Sequence, residues 1–375
     1  MITATLLAGC AWSEQKEIEN GVTIIDNAGR EVTVPTDAKR IAAMTGPSYE
    51  MLFMLGAADR IAMVKAGHTT DYPVALMLNP DLANIVTVGA NPNTSVNIED
   101  YLKNNVDLVL YYANDNELKK FETANIPVVA VSSGGGGSTE TDDTYTSKKT
   151  VEYIKNMTVK EYVDDKCLNI KNIAMILGEE AMAKYEKWYQ YNLDVAEKLY
   201  ERTKDLKDED RPTVYWANTW GENVLATCDI TNHYYDVMIA GGTFYGPMTS
   251  GGNFPEITAE QLYDWDPDVI IVDNHGNYPE LVIKSMQKET SQWASLSAVK
   301  NNQLYRVPTG VFFVDRGTSH ALLILWMATF LQPELFEDID IIEEIKYYYS
   351  EFYEYELTDD EAQKILEGWY ENRSV

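Results

Sequence analysis

EEAMAKYEKWYQYNLDVAEKLYERTKDL, Glu179 to Leu206, is the stretch that decides the architecture. Ala181, Tyr185, Trp188, Val195 and Leu199 recur at helical spacing, and Tyr189 and Ala196 widen the stripe. This is the one-faced apolar pattern of an amphipathic helix. No Gly or Pro interrupts it between Glu179 and Arg211. At 1.5 Å per residue the helix spans roughly 40 Å, about the width of a domain. On either side the chain alternates short buried strands with helices. Periodicity alone leaves two arrangements open. In one, a strut holds two α/β lobes with a cleft between them. In the other, this is one amphipathic helix among many in a single α/β domain.

The chain has 375 residues, enough for two domains with sizeable cores. Hydrophobic residues make up 45%, which places it among globular proteins. Asp and Glu number 59 against 30 Lys and Arg, a net charge of −29. Such a surface repels phosphate backbones and anionic lipid, which argues against nucleic-acid binding and docking through a basic patch. No run of 18 apolar residues predicts a transmembrane helix. The three cysteines, Cys10, Cys167 and Cys228, form no CxxC pair, so neither a disulfide scaffold nor a thiolate zinc site is expected.

Leu7-Ala8-Gly9-Cys10 matches the bacterial lipobox, whose cysteine is lipidated, and the polar stretch from Ser13 to Asn20 suits a tether. Only nine residues precede Cys10, with no Lys or Arg among them, so the basic region of a full signal peptide is missing. Val22 to Pro35 reads as a hairpin turning at Asp26-Asn27-Ala28-Gly29. Strands follow at Arg40–Met44, Arg60–Val64, Ile85–Val88, Asp107–Leu110 and Val128–Val131, with helices at Ser48–Leu55 and from Asn97. Gly134 to Gly137 lacks the Lys-Ser/Thr of a phosphate loop and reads as a mobile loop or cleft-edge flap. Val151 to Leu177 reads as one helix leading into the strut. Beyond Arg211-Pro212, strands are expected at Thr213–Trp216, Val269–Val272 and Leu304–Val307. Helices are expected at Tyr234–Ala240, Thr258–Trp265 and Ser319–Leu331, with Ser319 as a cap. Two amphipathic helices rich in tyrosine follow Ile339. This alternation indicates doubly wound, mostly parallel sheets, which bind ligands at the carboxyl ends of their strands. No GxSxG or HExxH motif points to hydrolase chemistry.

Five segments in this order carry a resemblance: Ile25-Asp26-Asn27-Ala28-Gly29-Arg30-Glu31-Val32-Thr33-Val34-Pro35 with Lys39-Arg40-Ile41; Leu55-Gly56-Ala57-Ala58-Asp59-Arg60-Ile61; Ala240-Gly241-Gly242; Phe254-Pro255-Glu256-Ile257 running on to Asp266-Pro267-Asp268-Val269; and Trp293 with Ala298-Val299-Lys300-Asn301 and Leu304-Tyr305-Arg306-Val307-Pro308. From about Val22 to Pro333 the chain resembles class III substrate-binding proteins of ATP-binding-cassette importers. That group delivers ferric siderophores, haem, cobalamin and some oxyanions.

The resemblance implies two doubly wound α/β lobes joined by one long rigid helix, with a ligand cleft between the lobes. The corresponding division is 1–20 signal remnant and tether, 21–177 N-terminal lobe, 178–207 interlobe helix and 208–375 C-terminal lobe with its C-terminal helices. It further implies an extracytoplasmic monomer, either tethered to the cell membrane through a lipid on Cys10 or periplasmic. Glu99 and Glu260 match the surface glutamates that dock each lobe onto arginines of the importer's membrane subunits.

Candidate ligand contacts at the strand ends are His68, Tyr111, Tyr112, Ser48 and Tyr49 in the first lobe. In the second lobe they are Trp216, Trp220, His275 and Arg316. Arg316 offers a fork of donors to an anion, the aromatic rings stack on a chelate, and His68 and His275 can ligate a metal or bond an oxyanion. His233 and His320 are expected to be structural. The expected role is capture of a metal chelate, a ferric siderophore first and molybdate, tungstate, haem or cobalamin as alternatives, with no catalysis and no resident cofactor. The rival class, an enzyme on the same scaffold, needs a converging Cys or His ligand set that three scattered cysteines do not suggest.

Overall fold

A computed structural model describes residues 21–36, 38–65, 72–89, 96–133, 150–218, 224–249, 255–273, 278–315 and 317–369. The chain opens with an antiparallel hairpin, β1 (Gly21–Ile25) and β2 (Glu31–Pro35). Asp26 organises its turn: one carboxylate oxygen accepts the Ala28 and Arg30 amides, and Gly29 takes the left-handed conformation at φ 72°.

The first sheet contains β3 (Ile41–Ala43), β4 (Ile61–Lys65), β5 (Val86–Val88), β6 (Leu108–Ala113) and β7 (Val128–Ser133). Its order is β5-β4-β3-β6-β7, all parallel. The second sheet contains β8 (Thr213–Ala217), β9 (Thr243–Tyr245), β10 (Val269–Val272) and β11 (Leu304–Arg306). Its order is β11-β10-β8-β9, again parallel. Both sheets are covered on both faces, which is why Val269-Ile270-Ile271-Val272 is apolar throughout instead of alternating.

The long helix runs from Glu179 to Thr203 and buries Ala181, Tyr185, Trp188, Val195, Ala196 and Leu199. It ends at Thr203, whose hydroxyl lies within hydrogen-bond reach of the carbonyls of Leu199 and Ile239, the latter fastening this end to the second lobe. The helix has a partner. Val159–Leu177 lies antiparallel to it, with Tyr189 Oη donating to Asp164 at 2.6 Å. The two meet at Gly178, φ +102° and ψ −168°, a conformation suited only to glycine. At one end of this partner helix Asn172 donates to the Ile25 carbonyl of the hairpin; at the other Lys166 reaches Asp236 in the second lobe. The connection between lobes is therefore a helix pair.

The single helix expected over 151–177 is two, Val151–Asn156 and Val159–Leu177. Met157 is extended, and Thr158 with Glu161 forms a capping box that starts a new helix. Helices Pro73–Leu78, Asp115–Thr123 and Tyr278–Met286 were not marked by the sequence, nor was β9. The C-terminal helices are Ile341–Tyr353 and Asp359–Leu366, the first packed against the long helix through Tyr191, Tyr348 and Phe352. Among the described residues no helix is long and apolar enough to cross a membrane.

Candidate functional site

Strand order reverses between β3 and β6 in the first sheet and between β8 and β10 in the second. Such switch points open a crevice at the carboxyl ends of parallel strands. After β3 the chain enters Thr45, the N-cap of helix Gly46–Met54. Ser48 completes that capping box: its hydroxyl donates to the Thr45 carbonyl at 2.7 Å and accepts the Thr45 amide at 3.1 Å. Tyr49 donates across the lobes to the Val311 carbonyl at 2.7 Å. A Cβ on Gly46 would lie 2.1 Å from the Phe312 ring, so only glycine allows this approach. Tyr72, Phe312 and Phe313 pack with centroids 4.6 to 5.5 Å apart and form an aromatic floor between the lobes. The segment after β11 thus meets the helix after β3, and the carboxyl edges of the two sheets face one another.

Tyr111 and Tyr112 sit at the end of β6, where a register shift falls between them. Tyr111 is 0% exposed and packs edge-on to Phe121, so it belongs to the core of the first lobe. Its hydroxyl has no partner among the described residues, and burial pushes its ionisation upward. Tyr112 is half-buried, and burial pushes its hydroxyl up to about 12. In the second sheet Trp216 is also 0% exposed, stacked on His233. Asn218 follows β8 directly. It is 0% exposed, and neither its amide nitrogen nor its oxygen has a partner among the described residues. Asp273 follows β10 and is equally buried. Asn218 and Asp273 therefore flank the second switch point.

Behind them lies a buried charged group. His233 Nδ1 is 2.9 Å from Asp236, which also takes the Tyr162 hydroxyl and lies 3.4 Å from Lys166. Burial raises the Asp236 carboxyl, but Lys166 and His233 outweigh it and hold the group well below the usual carboxylate range. Burial lowers both His233 and His320, the latter to about 3, so both rings stay neutral. Ser319 stands at the N-cap of helix His320–Leu331 without capping it; its hydroxyl faces Glu50 at 3.5 Å. Among the described residues no group of three His, Cys, Asp or Glu side chains is placed to hold a metal ion. A groove of ≈ 440 Å³ lined by Val22, Met175 and Met182 lies at the elbow of the helix pair, away from the strand ends.

The family model described as periplasmic binding protein matches residues 41–310. The chain belongs to the periplasmic binding protein family. It is 25% identical over 353 residues to the molybdate-binding protein MolA of Haemophilus influenzae, covering 91% of this chain and 93% of MolA. The structure of MolA bound to molybdate superposes with a TM-score of 0.71 at 24% identity, covering 90% of this chain and 99% of that one. YvrC of Bacillus subtilis, described as an uncharacterized ABC transporter substrate-binding lipoprotein, is 22% identical, covering 82% of this chain and 87% of YvrC. Helicobacter pylori CeuE in a Ni-His complex has a TM-score of 0.67 at 18% identity, covering 92% and 99%.

In this periplasmic binding protein, Glu99 and Glu260 lie exposed on separate lobes, each in the first turn of a helix, Ile98–Lys103 and Ala259–Trp265. Neither is ion-paired among the described residues. His68 follows β4, Trp220 follows β8, His275 follows β10 and Arg316 precedes Gly317 in sequence; all four lie outside the described residues. Cys10 and Gly134–Gly137 do so too. The structure adds Asn218, which is not among the candidate ligand contacts read from the sequence. It also adds the Gly46–Phe312 contact, for which no local signal exists.

Proposed function

We propose that this protein captures a compact metal oxyanion of the molybdate or tungstate type between the carboxyl edges of its two sheets. It then delivers the anion to the membrane subunits of an ATP-binding-cassette importer. The observation that carries the reading is Asn218. Its buried amide has no partner for its donors among the described residues, a cost of about 1–3 kcal/mol if left so, and an oxyanion at the switch point satisfies them. The close approach of Gly46 to Phe312 favours a small cargo over a wide macrocycle. The similarity to MolA, which binds molybdate, points the same way. Glu99 and Glu260 supply one docking carboxylate per lobe, and Cys10 supplies the lipid anchor, as in the lipoprotein YvrC. Charge reversal at Glu99 and Glu260 abolishes uptake while leaving solute affinity intact.

A ferric siderophore is the second reading. The half-buried, neutral Tyr112 at the end of β6 is suited to stacking on a catecholate, and CeuE carries a metal complex on this fold. A thermal-shift panel separates the two. It holds molybdate, tungstate, sulfate, phosphate, ferric catecholate and hydroxamate chelates, haem and cobalamin. A ligand at ~100 times its dissociation constant adds roughly 2.7 kcal/mol. Stabilisation by molybdate and tungstate but not sulfate is expected. Stabilisation by a ferric chelate alone moves the assignment to the second reading, and no shift removes both.

A further inference from the structure

Helix Gly46–Met54 carries one acid, Glu50, in an otherwise apolar run. Glu50 is 1% exposed, and its carboxyl points out of the first lobe into the second. One oxygen accepts the Thr318 amide at 2.9 Å. The other takes the Tyr353 hydroxyl at 3.2 Å and faces the Ser319 hydroxyl at 3.5 Å. A Cβ on Gly317 would lie 1.5 Å from the Glu50 oxygen, so the carboxyl is pressed against bare backbone. Three elements meet at this one group: the first helix of the N-terminal lobe, the 317–319 turn of the C-terminal lobe, and the C-terminal helix Ile341–Tyr353.

Among the described residues no Lys or Arg pairs with Glu50. The titratable groups facing it are Tyr348, Tyr349 and Tyr353, all from the C-terminal helix and all held neutral by burial. The long helix contributes Trp188, which donates to the Thr318 carbonyl and Tyr348 Oη and carries no charge; its Lys184 is committed to Glu354. Asp315, on the same turn segment, approaches His233 at 3.8 Å. Among the described residues the contact therefore holds a buried carboxyl with no counter-charge, and that burial favours the neutral acid against the pull of the surrounding donors toward the ionised form.

We propose that Glu50 is a positioning residue: as the neutral acid it fastens the 317–319 turn to helix Gly46–Met54 and holds the lobes together, and on ionisation it loosens that contact and lets the cleft open. The Tyr353 hydroxyl, 2.7 Å from Thr318 Oγ1, donates to one Glu50 oxygen, while the other oxygen keeps the Thr318 amide. Burial outweighs the hydrogen bonds from Thr318, Tyr353 and Ser319 and raises the buried group from 4.5 to about 7. Between those values the closed form holds a proton that the open form releases. Closure is firmest below about 4.5 and weakens as pH rises, the loss being complete above about 7.

The test needs no solute. The full chain with Cys10→Ser carries spin labels at Lys103→Cys and Lys300→Cys, exposed positions on separate lobes. Pulsed dipolar spectroscopy then reads the interlobe distance across pH 5.5 to 8.0. The otherwise unaltered chain lengthens by several ångström as pH rises. Glu50→Gln, which mimics the neutral acid, keeps the pH 5.5 distance throughout. Tyr353→Phe removes a bond that favours the ionised form and moves the midpoint to higher pH, an independent check if the Gln variant does not fold. A distance indifferent to pH, a Glu50→Gln variant that follows the unaltered chain, or an unmoved midpoint in Tyr353→Phe overturns the proposal.

Discussion

The Trp216 indole lies flat on the His233 imidazole, ring centroids 3.7 Å apart and planes 11° from parallel. A tryptophan at a strand end, which reads as a pocket residue, is thereby an anchor for helix Ile230–Ile239. His233 also holds Asp236, and through it Lys166 and Tyr162 of the helix pair. His233→Ala removes both the stacking partner and a donor to a buried carboxylate. The expected loss is about 3 kcal/mol, the range for breaking a buried charged contact, read as a lower urea midpoint at unchanged slope.

Acid weakens this region in a defined direction. Burial lowers His320 to about 3 and lowers His233 as well, so the folded protein keeps both neutral while the unfolded chain protonates them near 6.5. Their contribution is intact above pH 6.5 and is lost as pH falls from 6.5 toward 3. Calorimetric midpoints across that window fall, and His320→Gln gives a shallower slope. Glu50 acts with the opposite sign between about 7 and 4.5, so Glu50→Gln steepens the fall there.

Gly46 and Phe312 share one space. Gly46→Ala alone forces the Phe312 ring aside and costs about 1–3 kcal/mol. In the double variant with Phe312→Ala the alanine methyl finds room, and the penalty of Gly46→Ala shrinks. A double-mutant cycle from denaturant midpoints checks this: additive losses would show that the two residues do not meet.

Asn218 separates a binding role from a structural one. Replacing a buried amide that has no partner among the described residues by an apolar isostere removes its desolvation penalty, so Asn218→Leu has an equal or higher midpoint without solute. The same change weakens solute affinity by about tenfold or more, a loss of at least about 1.4 kcal/mol by titration calorimetry. A variant that binds as before removes Asn218 from the site.

The helix Glu179–Thr203 was legible because its burying stripe repeats every three or four residues within one segment. The strands at Val269–Val272 and Val128–Ser133 were legible as short apolar runs. The site was less so. Tyr111 and Tyr112 are adjacent aromatics at one strand end, yet one lies in the core and the other is half-buried. Which face of the sheet is core depends on what packs there, and Phe121 is brought in by a helix the sequence did not mark. Capping gave a similar lesson. Thr158 with Glu161 is a local start signal within the 151–177 run, whereas Ser319 looks like a cap and instead faces Glu50.

By itself the sequence determined the alternation of strands and helices, the long connecting helix and the family, since these rest on periodicity and motifs a few residues long. Only the tertiary structure decided that the connection is a helix pair, that Trp216 anchors and the Asn218 side chain finds no partner among the described residues, and that Glu50 bridges the lobes. Glu50 and Thr318 are 268 residues apart in the chain. A bond of that span has no signature in either segment. It forms because parallel sheets of the same hand bring their carboxyl edges together, and the groups stranded there must satisfy one another.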